Sequence, residues 1–273
     1  LAVAESARNV ACTGARPLAA TNCLNFGNPE RPPIMWQLAK AVEGMGMACR
    51  ALGVPITGGN VSLYNETDGT AIYPTTVIGV VGLLEHADRV IGSRFLAAGD
   101  VIVLLGVGTG EFGGSEYLKL VYDLVRGAPP LLDLDRERAL QSLVVRLADE
   151  RLIRSASDCS EGGLAVTVAE CAFDTGGIGA ELSVEPVTVA RDPQLNIAAA
   201  LFGESASRIV VSVAVEAVTA VLTRAAAAGV PARVIGRTGG DRLRIATGGT
   251  IVIDVSVDEA ERLFHDPIVA VLT

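Results

Sequence analysis

Aromatic side chains make up only 4% of the 273 residues, histidine occurs twice and tryptophan once. With so few rings, a core has to be built from Ala, Val, Leu and Ile, for which a chain that is half hydrophobic has ample material. The two histidines, His86 and His265, stand far apart and outside any glycine-rich or nucleophile-elbow setting. Serine, cysteine and histidine catalysis therefore lacks its base, and zinc lacks its ligand spacing. Five cysteines (Cys12, Cys23, Cys49, Cys159 and Cys171) stand singly with no C-x-x-C pair, the usage of reduced, core-filling thiols in a cytoplasmic protein. Basic residues are in deficit, 22 Lys and Arg against 31 Asp and Glu, for a net charge of −9. That balance argues against nucleic acid or an anionic membrane as a partner, and it leaves any phosphate ligand to be met by metal or backbone. The longest apolar run, Ile72 to Leu84, is broken by Pro74, Thr75 and Thr76 and is too short for a membrane span. There is no secretory leader pattern, no Walker Gly-Lys-Ser/Thr and no Rossmann G-x-G-x-x-G at a first βα turn.

The length suits two units, with a boundary in the charged segment Glu85 to Asp100. The chain opens on Leu1 within an apparent helix and without an initiator Met, which gives the expectation of a downstream part of something longer. In the first unit, helical spacing runs from Ala2 to Cys12 and a strand follows over Pro17 to Cys23. Asn22, Asn25, Gly27, Asn28 and Pro29 read as a polar turn. Pro32 and Pro33 open a helix that carries Met35, Leu38, Val42, Met45 and Leu52 and stops at Gly53. In that helix Met45 and Met47 read as core and Trp36 as partly buried. Thr57 to Glu66 then reads as strand, Gly58-Gly59 corner and second strand, with Asn60, Ser62, Asn65 and Glu66 as hard oxygen donors. A polar β-turn with the two glycines at its tip fits the same residues. A hairpin connection spans Asn65 to Gly69, and a third strand ends near Leu84.

The second unit opens on Val101 to Leu105, a continuous apolar run of the kind found in a strand covered on both faces. Three polar, glycine-containing stretches follow. Gly106 to Glu116, with Gly113, Gly114 and Ser115, leads into a helix read over Ser115 to Arg126. Asp158, Ser160, Glu161, Gly162 and Gly163 open a helix that Ser160 could cap. Glu204, Ser205 and Arg208 follow a short helix, and Glu204 with Arg208 could form a structural ion pair. Residue types alone lead to an α/β protein that binds a magnesium nucleotide or a phosphate ester, and no further.

Four strings narrow this: Ala-Thr-Asn-Cys-Leu-Asn-Phe-Gly-Asn-Pro-Glu at 20–30, Gly-Gly-Asn-Val-Ser-Leu-Tyr-Asn-Glu-Thr at 58–67, Asp-Cys-Ser-Glu-Gly-Gly-Leu-Ala at 158–165 and Phe-Gly-Glu-Ser at 202–205. Together they resemble the phosphoribosylformylglycinamidine synthases, in the C-terminal half of the large synthetase subunit. The last two strings are shared across the aminoimidazole ribonucleotide synthetase-like superfamily. The resemblance implies a truncated α+β N-domain whose strands pair into a shared barrel (1–87), a three-layer α/β C-domain (98–247) and a C-terminal tail (248–273). It implies ATP- and Mg²⁺-dependent conversion of formylglycinamide ribonucleotide to its amidine in purine biosynthesis, using ammonia from a glutaminase subunit, with a small accessory subunit as a further partner. By the same matching, Asn22 and Gly59 would contact ATP, Asn60 would ligate Mg²⁺ and Ser62 would touch the ribonucleotide. Gly113, Gly114, Ser115, Asp158, Ser160, Glu161, Gly162, Gly163, Glu204, Ser205 and Arg208 would surround an auxiliary nucleotide.

The family's catalytic histidine, ATP-binding lysine and most acidic metal ligands have no counterpart here, so the expectation is that an N-terminal half is needed for activity. Two other readings fit the same residues: another ATP-dependent member of the superfamily, and a non-catalytic half that binds nucleotide and scaffolds its partners.

Overall fold

The computed structural model describes residues 1–272, and their side chains as far as residue 266. The first unit is a three-stranded sheet backed by two helices. Helix α1 (Ala2–Cys12) buries Val3, Ala4, Ala7, Arg8, Ala11 and Cys12, the spacing of one helical face. Strand β1 (Arg16–Asn25) is central, parallel to β2 (Ile56–Ser62) and antiparallel to β5 (Thr75–Leu83). Between β1 and β2 runs helix α2 (Pro32–Leu52), with Pro at its first positions and Gly53 in the left-handed conformation at its end. Ala20, Leu24, Phe26, Met45, Ala48, Cys49 and Val54 form the core between sheet and helices.

Several local expectations shift. Asn22 and Asn25 lie inside β1 rather than in a turn, and β2 runs straight through Gly58 and Gly59 without a corner. Met35, Trp36, Val42 and Met47 are exposed, because α2 rests on the narrow stripe of Met45, Ala48 and Cys49. Asn65 to Gly69 is part of a small hairpin of β3 (Glu66–Thr67) and β4 (Thr70–Ala71), turned by Asp68 and Gly69, both at positive φ.

The second unit is a seven-stranded mixed sheet with helices on both faces, the expected three-layer arrangement. Its strands are β6 (Val101–Leu105), β7 (Ser155–Asp158), β8 (Ala180–Val184), β9 (Ile209–Val213), β10 (Ala232–Thr238), β11 (Arg242–Thr247) and β12 (Thr250–Ser256). They lie in the order β12-β11-β8-β10-β6-β9-β7, and only β8 and β11 are paired in parallel. All five residues of β6 are buried. Ile102 and Leu104 join the core on one face, while Val101, Val103 and Leu105 join the core on the other. Each such side chain removed from water stabilises by about 1.5–3 kcal/mol, so the central strands anchor the unit.

Helices α4 (Leu134–Asp149) and α7 (Val218–Ala227) cover one face, and α5 (Gly163–Ala172), α6 (Pro193–Phe202) and α8 (Val257–Leu272) the other. Helix α3 (Glu116–Tyr122) is shorter than its sequence suggests, because Asp123 turns left-handed at φ 54°. The residues expected as a C-terminal tail supply strand β12 and helix α8, whose Val257 is buried; Thr273 lies outside the described residues.

The units are joined closely. Helix α1 packs on β5 and β1 and also on α4 and β7, and its Cys12 belongs to the second unit's core. The boundary segment is fastened as well. Ile91 N–H donates to Thr13 O, Gly92 bridges Ser155, and Phe95 is buried with its N–H on Cys171 O.

Candidate functional site

The register of β1 on β2 sets the first cluster. Asn22 pairs with Gly59, and Cys23 with Asn60, so each pair shares one face of the sheet. On the helix side, the Asn22 amide reaches Met45 Sδ at 3.6 Å and lies over Gly59. A Cβ on Gly59 would fall 1.6 Å from Asn22 Oδ1 and 2.8 Å from its carbonyl oxygen. Close approach, not a turn, is thus what this glycine serves.

On the other face stand Cys23, Asn25, Asn60 and Ser62, beside Val77 and Val81 of β5. Among the described residues no core forms over this face: Asn60 is exposed, and Val77 and Val81 of β5 are 55% and 64% exposed. Asn60 Nδ2 points at Cys23 Sγ (3.8 Å), as does Asn25 Nδ2 (3.5 Å), and Ser62 Oγ bonds Asn65 Oδ1 at 3.1 Å. Asn60 therefore spends its nitrogen within the fold while the residue stays exposed.

The donors of this face are neutral amides and hydroxyls. Glu66, the one carboxylate in the stretch, pairs with Arg31 at 3.3 Å. Among the described residues, no group of three or more His, Cys, Asp or Glu side chains could hold a metal ion. Mg²⁺ favours carboxylate, phosphate and water oxygens. These residues do not hold Mg²⁺ by themselves; they fit one neutral oxygen ligand to an ion whose charge is met by nucleotide phosphates.

The second cluster is a meeting of three loops. Ser205 Oγ accepts from the backbone N–H of Thr109 (3.0 Å), Gly110 (3.1 Å) and Glu111 (3.4 Å). Glu204 Oε1 accepts from Glu116 N–H at 3.0 Å and Gly162 N–H at 2.9 Å, joining the starts of α3 and α5. Buried Arg208 donates to Ser205 O (2.9 Å) and Gly203 O (2.6 Å). The expected Glu204–Arg208 ion pair does not form, because each side chain is taken up by backbone groups.

Ser160 does not cap α5. Its hydroxyl donates to Asp158, and Gly162 holds the cap position at φ 73°. Gly163, at φ 67°, would place a Cβ 2.7 Å from Gly203 O, so these two loops touch through bare backbone. Ser115 caps α3 through Leu118 N–H, Gly113 packs on Ala128 O, Gly114 N–H bonds Arg126 O, and Glu161 is exposed.

Burial would raise the Glu111 carboxyl, but the Leu131 N–H and the Thr109 and Ser205 hydroxyls outweigh it and hold it below its ordinary value. Beside these loops opens a cleft of about 880 Å³ lined by Thr109, Glu111, Asp133, Arg136, Ser205 and Ser207. The buried thiols of Cys12, Cys159 and Cys171 are pushed up by desolvation, that of Cys171 to about 12, which removes them from nucleophilic chemistry.

The structure thus brings Asn22 to Gly59, Asn60 to Ser62, and the three loops to one another. It does not bring the two clusters together. Helix α1 lies between the first sheet and the second unit, and the open face looks away from it. Residue-type reasoning missed Arg8, Glu137 and Ser207, which connect α1 to these loops. The available signal was an arginine within the apolar stripe Val3-Ala4-Ala7-Ala11.

Comparison with known proteins gives the affiliation. The subunit of phosphoribosylformylglycinamidine synthase named PurL from Moorella thermoacetica is 49% identical over 268 residues, covering 98% of this chain and 36% of that protein. The chain therefore spans about a third of the length of such relatives. In fold it matches Thermotoga maritima PurL, solved with ATP (TM-score 0.70, 21% identity, 93% of this chain and 39% of that one) and with FGAR (TM-score 0.72, 21% identity, 93% and 41%). A PurLQS assembly from the same organism matches at TM-score 0.71 and 22% identity, over 93% of this chain and 40% of that one. Escherichia coli HypE, a hydrogenase maturation protein, matches at TM-score 0.68 and 23% identity, over 93% and 77%. The family models described as AIR synthase related protein match in order, the N-terminal domain over residues 1–84 and the C-terminal domain over 97–247. With more than half of its length matched by the second model alone, the chain belongs to the AIR synthase related protein family.

Proposed function

We propose that this chain supplies part of a phosphoribosylformylglycinamidine synthase, which uses ATP and ammonia to convert formylglycinamide ribonucleotide to the amidine. The reading takes residues 1–87 and 98–247 as two units and the open face of the β2-β1-β5 sheet as the chain's contribution to the reaction. The observation that carries it is the placement of Asn60 and Ser62 on one exposed face, their side chains unspent on core packing. Its support is the 49% identity to a PurL subunit over nearly the whole chain. In this reading Gly59 brings its backbone to the ATP, while Asn22 stands on the helix side and buttresses β2 from behind at a distance only glycine permits. Mg²⁺, when bound, neutralises phosphate charge and holds the phosphates for attack. Asn60 offers it one oxygen and Ser62 offers the ribonucleotide a hydroxyl.

Because Asn60 and Ser62 bring no carboxylate or basic side chain, the rest of the metal and substrate contacts come from elsewhere. The exposed Val77 and Val81 suit pairing with a second sheet into a barrel. The chain alone is then without synthetase activity, and its partners are the remainder of the synthetase, a glutaminase and a small accessory subunit.

Titration calorimetry with ADP and Mg²⁺ tests the site. Asn60→Ala weakens binding about tenfold in this account, the range expected for a lost hydrogen bond or ligand to a charged group. Unchanged binding in the variant removes Asn60 from the site and moves the nucleotide to the loops of the second unit.

A further inference from the structure

Arg8 on α1 and Glu137 on α4 form an ion pair at 2.9 Å, with side chains 4% and 0% exposed. Glu137 Oε2 accepts from Arg8 and also from the Ser207 hydroxyl, while its other oxygen accepts from Gln141 at 2.8 Å. Arg8 Nε faces Asp158 Oδ2 at 3.6 Å without completing a hydrogen bond. Burying such a pair costs desolvation comparable to the attraction it recovers, so stability alone is a weak reason for it; fixing the register of packed elements is its best-attested use.

The elements it registers are specific. Ser207 is held at φ 58°, a left-handed conformation that a serine adopts only when its surroundings impose it. On the same turn, Ser205 gathers the N–H groups of residues 109–111 and Glu204 those of Glu116 and Gly162. Asp158 begins the loop that reaches Gly162. At its other face α1 lies on β5, where Ser6 Oγ donates to Ile78 O at 3.1 Å.

We infer that Arg8 and Glu137 are positioning residues, which take the placement of α1 on the first unit's sheet and from it set the 158–163 and 203–208 loops of the second unit. A displacement of that sheet moves α1, and the shared Glu137 oxygen passes the movement to Ser207 and so to the amides that Ser205 and Glu204 hold. The positional claim stands on the contacts alone. Its consequence, that the first sheet tunes ligand binding at these loops, rests on reading them as an auxiliary nucleotide site.

Residue-resolved amide exchange on the whole chain tests it with Arg8→Met, Glu137→Leu and Glu137→Gln. In the first two variants, exchange at Thr109, Gly110 and Gly162 rises about tenfold, while amides of β6 and β9 stay within about threefold of the parent. Glu137→Gln, which keeps an acceptor for Ser207, restores most of the protection. Equal acceleration in loops and sheet, tracking the loss of global stability in urea, would overturn the assignment, as would unaltered loops. Should Glu137→Leu fail to fold, Ser207→Gly suits the left-handed backbone and removes only the hydroxyl; the same local acceleration is expected, and its absence is fatal. ADP and Mg²⁺ titrated into the same variants with Asn60→Ala added separate the two claims: loosened loops with a nucleotide affinity no different from that of Asn60→Ala alone sustain the positioning and discard the auxiliary site.

Discussion

Gly58 and Gly59 are neighbours in one strand, yet a methyl group would meet different surroundings at each. At Gly58 nothing lies within 4 Å, whereas at Gly59 the Asn22 side chain and carbonyl are already in place. Gly59→Ala should lower stability by about 1–3 kcal/mol, as overpacking does, and displace Asn22. Gly58→Ala should be neutral or stabilise by up to about 1 kcal/mol, because it restricts the unfolded chain without a clash. Urea denaturation of the two variants decides this, and equal effects would contradict the register of β1 on β2. The identity of these residues was readable from the sequence, but their geometry was not. A pair of glycines signals either a corner or a close approach, and only the cross-strand partner, 37 positions away, distinguishes the two.

At the scale of elements, the three loops of the second unit are held by their own side chains. Glu204→Ala would leave the Glu116 and Gly162 N–H groups without their acceptor, at a cost of about 2 kcal/mol. Glu204→Gln, which retains the carbonyl oxygen, should cost clearly less, and denaturation midpoints compare them. Sequence patterning located most elements here. The apolar run Val101–Leu105 announces a strand buried on both faces, which β6 is. What it could not give were the partners of Glu204 and Arg208. Opposite charges four apart suggest an ion pair, but buried backbone groups must also be satisfied, and here they take both side chains. Nor does periodicity show that α1, in the first unit by sequence, fills the second unit's core with Cys12.

At the scale of the whole molecule, two sheets of different character share one helix. The larger is covered on both faces, and the smaller presents one face with exposed valines and polar side chains outside any core. An uncovered face of that kind marks a surface that another element completes. A chain spanning about a third of its relatives' length leaves ample sequence in those proteins to supply one. With a net charge of −9, the triphosphate proposed for this face would approach more readily with its charge balanced by cations.

The most direct test is nuclear magnetic resonance of the chain with ADP and Mn²⁺ in place of Mg²⁺, since the paramagnetic ion broadens amide signals close to it. Selective broadening of Gly59, Asn60 and Ser62 is the predicted result. Broadening confined to Gly162 and Glu204, with residues 59–62 left sharp, would contradict the account.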